Sequence, residues 1–272
     1  MVLFIVLVCL IVFIVLFWLW GIAPRISNRP SFSELEKWDY AHRGLHDDKI
    51  PENSMPAFIN AVKHGYGMEY DLQLTKDNKV VIHHDNSLKR ICGVDKKISD
   101  VTYDELQQIH LKDTNLTCPL FSDVLKEVDG KTPMIIEFKG YENVNELCEE
   151  GWKVLKDYKG PYCIESFHPG IVHWFKVHHP EVIRGQLMAH FTTKDPETRN
   201  PIVAFVARNM MTNFYARPDF EAYDYHGRDN LSLKACRKLF KIKEVSWTVR
   251  DKATHEKLKK DGCMSIFEQF LA

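Results

Sequence analysis

No two of the seven cysteines (Cys9, Cys92, Cys118, Cys148, Cys163, Cys236 and Cys263) form a Cys-x-x-Cys pair, and their number is odd. Neither a zinc ribbon nor a disulfide framework can be built from them. Scattered through mostly apolar segments, they read as small buried thiols and favour a reducing compartment. The chain also lacks a surplus of positive charge, with 36 Lys and Arg against 37 Asp and Glu. A nucleic-acid partner, which needs a basic field, is therefore set aside. There is no repeat period and no low-complexity tract, which excludes solenoids and arrays. No basic residue precedes the apolar N-terminal run and no small-x-small site follows it, so it does not fit a cleaved secretory signal.

That run, residues 2–20, is apolar throughout, and the first charged side chain is Arg25. It is long enough to cross a hydrocarbon core of ~30 Å, and Trp18 and Trp20 stand at its end, where indoles favour the interface. Residues 1–22 are expected to be a single-pass transmembrane helix. Residues 23–37, with Pro24 and Pro30, are expected to be a linker. Arg25, Arg29 and Lys37 all follow the span, and positive residues beside a span prefer the cytoplasm, so the remaining domain is expected on that side.

Residues 38–272 are enough for one sizeable α/β domain. Strands are predicted at Trp38–His42, Gly67–Leu72, Met134–Phe138, Tyr162–Ser166, Val182–Leu187, Met210–Phe214, Glu244–Thr248 and Met264–Phe267, with a short hairpin strand at Val80–His84. Helical patterns separate them, among them 144–158, 170–177, 196–208, 232–241 and 252–260. Eight strands alternating with helices make a (β/α)8 TIM barrel. A short irregular insertion at 86–120 follows the second strand. The eighth helix is expected to be missing or vestigial.

Chemistry-bearing residues crowd into His42–Asp85. In a strand, alternate side chains share a face, so Glu69 and Asp71 point together, and Glu137 and Lys139 repeat the arrangement on the next barrel strand. Barrel enzymes keep their reactive groups at the carboxyl ends of strands, and carboxylates gathered there suit a hard divalent cation. His42 and His84 close adjacent strand segments and can exchange protons near neutral pH. Arg43 offers a planar fork for phosphate oxygens, and Lys139 adds a second positive charge. A phosphodiester fits this set: one histidine would deprotonate the nucleophile and the other would protonate the leaving alkoxide.

The ordered series His42-Arg43, Pro51-Glu52-Asn53, Glu69-Tyr70-Asp71 and His84-Asp85 resembles the signature of the glycerophosphodiester phosphodiesterase family, in its bacterial type with an N-terminal anchor. The likeness continues through Glu137-Phe138-Lys139, Ser166-Phe167 and Trp247-Thr248-Val249, and so covers nearly everything after residue 38. It implies a metal, Mg²⁺ or Ca²⁺, on Glu69, Asp71 and Glu137, with Glu52 beside it. It also implies attack on phosphorus by a glycerol hydroxyl, followed by hydrolysis of the cyclic phosphate. Asn53 reads equally as a helix cap or a site residue, while Phe167 and Trp247 are either pocket lining or core. The last strand departs from the family: Gly262-Cys263-Met264 replaces the usual Gly-Val-Asp. The activity implied is hydrolysis of glycerophosphodiesters to an alcohol and sn-glycerol 3-phosphate. The alternatives are lysophospholipase D activity on single-chain lipids and a non-catalytic barrel that binds phosphodiesters. Loss of a histidine or a ligand would favour the last, and none is lost.

Overall fold

The computed structural model describes residues 1–195 and 198–272. Its strands are β1 (Tyr40–Ala41), β2 (Gly67–Leu74), β3 (Val80–Ile82), β4 (Met134–Phe138), β5 (Tyr162–Ser166), β6 (Arg184–Met188), β7 (Phe220–Asp224), β8 (Lys243–Val249) and β9 (Met264–Phe267). Its α-helices are α1 (Val2–Ile22), α2 (Met55–Lys63), α3 (Lys89–Cys92), α4 (Tyr103–Leu106), α5 (Phe121–Val128), α6 (Val144–Leu155), α7 (Pro169–His178), α8 (Pro201–Arg208), α9 (Asn213–Ala216), α10 (Leu231–Leu239) and α11 (Lys252–Lys260).

All strands except β3 pair in parallel in chain order, and β1 pairs with both β2 and β9, which closes an eight-stranded barrel. β3 returns antiparallel to β2 as the expected hairpin. Every residue of β2 is buried, and its alternation explains how. Met68, Tyr70 and Leu72 pack outward with Phe121 and Val124 of α5 and Phe138 of β4. Glu69 and Asp71 point into the barrel. Each large apolar side chain contributes about 1.5–3 kcal/mol on burial, which offsets the cost of enclosing carboxylates.

One strand lies elsewhere than the sequence pattern suggests. Met210–Phe214 is a turn leading into α9, with Met210 at φ 56°, and the sixth barrel strand is Phe220–Asp224. The apolar run at 210–214 imitates a strand, whereas the real one was hidden by Glu221, a carboxylate buried on its outer face. The helix expected at 196–208 is observed from Pro201; Pro196 and Glu197 lie outside the described residues. The insertion after β3 has a small core of its own, with Leu88, Ile91, Ile98, Val101, Leu106, Leu111 and Cys118 packed on Val81.

The segment between α1 and β1 forms the barrel floor. Phe32 and Leu35 pack with Tyr40, Phe220, Val245 and Met264. The Arg25 guanidinium donates to the Pro180 carbonyl (2.9 Å), and that of Arg29 to the Phe240 carbonyl (2.7 Å). These carbonyls lie near the strands' amino-terminal ends, so both arginines are tied to the floor. No helix follows β9 among the described residues. Phe270 packs there instead, 5.2 Å from the Phe267 ring and 5.7 Å from the His255 ring.

Candidate active site

Register brings the carboxylates together: Asp71 lies opposite Glu137, and Glu137 opposite Glu165. Oxygens of Glu69, Asp71 and Glu137 lie within 4.8 Å of one another, all three residues being buried. The Lys139 ammonium stands 2.8 Å from Asp71 Oδ1 and 2.7 Å from Glu137 Oε2. It therefore offsets part of the cluster's negative charge, and it also lines the cleft described below.

His42 and Arg43 occupy the turn that leaves β1. Arg43 takes φ 53° and Gly44 φ 75°, a left-handed pair that turns the chain back over the barrel mouth. A side chain at Gly44 would meet the Ala57 backbone at 2.9 Å, so only glycine fits. The turn points the Arg43 N–H at Glu69 Oε2 (3.0 Å) and its guanidinium at Glu52 Oε1 (2.6 Å). Glu52 also takes a two-pronged contact from Arg90 (2.8 and 2.9 Å), so it braces Arg43 against the insertion. The Asn53 ambiguity resolves toward the site: Ser54 caps α2, and Asn53 Nδ2 donates to Asp71 Oδ2 (2.7 Å).

Each of the two histidines has its own carboxylate. His42 Nδ1 donates to Glu268 Oε2 (2.6 Å), and His84 Nδ1 to Asp85 Oδ1 (2.7 Å). A carboxylate only accepts, so each ring carries a proton on Nδ1, which leaves Nε2 as the nitrogen that can take or give one. His42 Nε2 lies 3.9 Å from Glu69 Oε2, at the edge of the cluster. Burial pushes His42 down to about 4 against the pull of Glu268. Burial would raise Glu268, but His42, His46 and Arg250 hold it well below the usual carboxylate range. His83, the neighbour of His84, is buried, with Nδ1 3.7 Å from Cys118 Sγ.

The carboxylates outnumber their cations. Burial, then Asp71 and Glu137, raises Glu69 well above its ordinary value. Burial likewise pushes Glu137 up to about 7, opposed by Lys139. Glu165 is raised by burial and by Glu137, and its Oε2 has no partner. Asp71 alone is held low: Lys139, His84 and Arg43 overcome its burial. Four inward carboxylates against Lys139 and Arg43, with Asn53 Oδ1 buried and unpartnered, make an all-oxygen donor set that fits a divalent cation.

A cleft of about 670 Å³ opens beside these groups, lined by His84, Glu137 and Lys139 at one end. Phe167, Met188, Phe191, Val203, Val206 and Ala207 line the other. Phe167 thus belongs to the pocket, and Trp247 stacks edge-on behind it at 5.6 Å. A concavity of about 610 Å³ bounded by Gly130, Gly160 and Pro161 lies at the other end of the barrel, remote from this chemistry.

A model of the Glycerophosphoryl diester phosphodiesterase family matches residues 42–271. The chain belongs to that family. It is thereby a phosphoric diester hydrolase. Within the family it is 26% identical to YhdW of Bacillus subtilis over 85% of this chain and 95% of that one. It is 39% identical to the lysophospholipase D GDPD1 of Homo sapiens over 38% of this chain and 37% of that one. The glycerophosphodiester phosphodiesterase of Thermotoga maritima has a similar structure (TM-score 0.64, 27% identity, 84% of this chain and 92% of that one). So does an Oleispira antarctica phosphodiesterase solved with its product sn-glycerol-3-phosphate (TM-score 0.68, 20% identity, 85% and 92%).

Sequence reasoning had gathered the family residues but had given Glu268 and Glu165 no role. Alternation from Ile266 puts Glu268, the residue after β9, on the inner side of the barrel, beside the turn that carries His42 out of β1. That neighbour relation exists only once the barrel closes.

Proposed function

We propose that this family member hydrolyses glycerophosphodiesters to an alcohol and sn-glycerol 3-phosphate, with His42 and His84 as the proton-transfer pair. The observation that carries the reading is the matched pair of dyads, His42–Glu268 and His84–Asp85, beside one buried carboxylate cluster. A divalent cation, Mg²⁺ or Ca²⁺, held by Glu69, Asp71 and Glu137 would polarise the phosphoryl oxygens and offset their charge. A free Nε2 takes the proton of the attacking glycerol hydroxyl, and the other imidazole, entering protonated, gives one to the departing alcohol oxygen. Water then opens the cyclic phosphate with the two roles exchanged. Arg43, braced by Glu52, holds phosphate oxygens. In the test, His42→Ala and His84→Ala each lower turnover of glycerophosphocholine by about 10²-fold to 10⁴-fold with the fold intact. Chelation abolishes turnover, and Mg²⁺ or Ca²⁺ restores it. Near-normal rates in either variant, or activity that survives exhaustive chelation, would sink the mechanism.

A second reading, lysophospholipase D activity, is favoured by the apolar half of the cleft, which is wider and greasier than a glycerol headgroup needs. The lysophospholipase D relatives support it. Comparison of lysophosphatidylcholine with glycerophosphocholine as substrates separates the two readings.

A further inference from the structure

The way α1 joins the barrel fixes which end of the barrel meets a membrane. Trp18 Nε1 donates to Ser232 Oγ (3.0 Å). One turn later the Ile22 carbonyl accepts from Asn213 Nδ2 (3.0 Å) and Cys236 Sγ (3.3 Å). α10 starts at the carboxyl end of β7 and descends toward the floor, so Ser232 lies nearer the catalytic face than Cys236. α1 descends in the same sense, and everything before Trp18 rises past the catalytic face. The joint is packed rather than tethered. Gly21 and Ile22 are buried, the Trp20 ring stacks on Phe214 at 4.7 Å, and the Arg217 guanidinium holds the Ala23 carbonyl at 2.6 Å. α1 is long and apolar enough to cross a membrane, and its side chains from Val2 to Leu16 are exposed.

Part of the rim at this same end, on α8 and at the start of α10, is apolar where it faces out. α8 and α10 both start at the catalytic face; Ile202 is 72% exposed and Phe205 52% on α8, and Leu231 is 70% exposed at the start of α10. The inner side of the same α8, at Val203, Val206 and Ala207, walls the cleft that reaches His84 and Glu137. One short helix thus has one side on the cleft and another that is exposed among the described residues, at the end from which an apolar helix projects.

We propose that the catalytic face lies against the bilayer that holds α1, with the outer side of α8 seated in the interface. The cleft then opens to lipid, and a single-chain phosphodiester enters from the membrane with its acyl chain under α8. The entry step rests on the phosphodiesterase reading above; the orientation does not. Amphipathic helices at a membrane surface bury their apolar side roughly 5–10 Å into the headgroup boundary, and α8 is placed to do so because α1 holds the barrel rigidly.

The test uses the full chain in phosphatidylcholine vesicles, with the two unburied cysteines, Cys9 and Cys92, changed to serine. An environment-sensitive fluorophore is attached at Ile202→Cys or, as a control toward the floor end, at Val177→Cys. The label at 202 should shift to the blue and be quenched by spin-labelled lipid and not by iodide; the label at 177 should do the reverse. Iodide access at 202, or equal behaviour at the two sites, would overturn the orientation, including the case where a protein partner covers α8 instead. In parallel, Ile202→Asp with Phe205→Asp should lower turnover of vesicle-borne lysophosphatidylcholine by about tenfold or more, as apolar anchoring is lost. Turnover of soluble glycerophosphocholine should be unchanged. Equal loss on both substrates, or loss on neither, would overturn entry from lipid. If the unmutated chain cleaves no glycerophosphocholine, it is the phosphodiesterase reading that falls, and the fluorescence still decides the orientation.

Discussion

Glu268 orients His42, and the charge it supplies is separable from the space it fills. Glu268→Gln keeps the volume but loses the carboxylate that fixes the Nδ1 proton and stabilises the imidazolium. A fall in kcat on the order of 10²-fold or more is expected, with KM and the melting temperature changed little; an unchanged kcat would remove Glu268 from the mechanism. Glu221 shows what a buried carboxyl does when it has no such work. It is fully buried, accepts from Asn213 Nδ2 at 2.5 Å, and burial pushes it up to about 8. The folded protein therefore holds a proton that the unfolded chain has released once pH exceeds about 4.5. Stability contributed here is full below that pH, declines as pH rises toward about 8, and is level above. Glu221→Gln, which stays neutral, should leave stability near pH 4.5 almost unchanged and raise it at pH 8 by on the order of 2–4 kcal/mol. Denaturant melts at the two pH values measure this, and a gain that does not depend on pH would contradict it.

At the level of elements, the site is a property of three neighbouring strands. β2, β4 and β5 each turn a carboxylate inward at the same height, and burial, reinforced by the neighbouring carboxylates, raises Glu69, Glu137 and Glu165 above the ordinary carboxylate range. A cation entering this cluster must displace protons. Affinity for Mg²⁺ or Ca²⁺ should therefore rise with pH through about 7, the value for Glu137. Calorimetric titration in buffers of different ionisation enthalpy should show proton release at pH 6.5 that diminishes as the pH is raised. Release that does not vary with pH would mean that the cation binds elsewhere.

For the whole molecule, the side of the membrane is a separate matter from which end of the barrel faces it. The positive residues expected to mark the cytoplasmic side include Arg25 and Arg29, and both are bound to the barrel floor. All seven cysteines are free, five of them buried, and free thiols persist where the compartment keeps them reduced. The barrel is accordingly proposed to be cytoplasmic. A reporter active only outside the cytoplasm, joined after Ala272, should stay silent in intact cells, and strong signal with protease access from outside would reverse the assignment.

The sequence by itself determined the barrel, the apolar helix and the family, because these depend on local information. Strand period, helix punctuation and the spacing of His42-Arg43, Glu69-x-Asp71 and His84-Asp85 are all short-range, and each strand's alternation already says which side chains turn inward. It went astray at Met210–Phe214, where an apolar run looked more like a strand than Phe220–Asp224 with its buried Glu221, since burial of a carboxylate cannot be read from its neighbours in sequence. Only the tertiary structure decided that Glu268 holds His42, that Lys139 sits among the carboxylates, that Arg25 and Arg29 belong to the floor, and that α1 projects from the catalytic end. Each of these joins residues far apart in the chain, and their distances are set by closure of the barrel and the docking of α1 on α9 and α10, not by any local preference of the residues themselves.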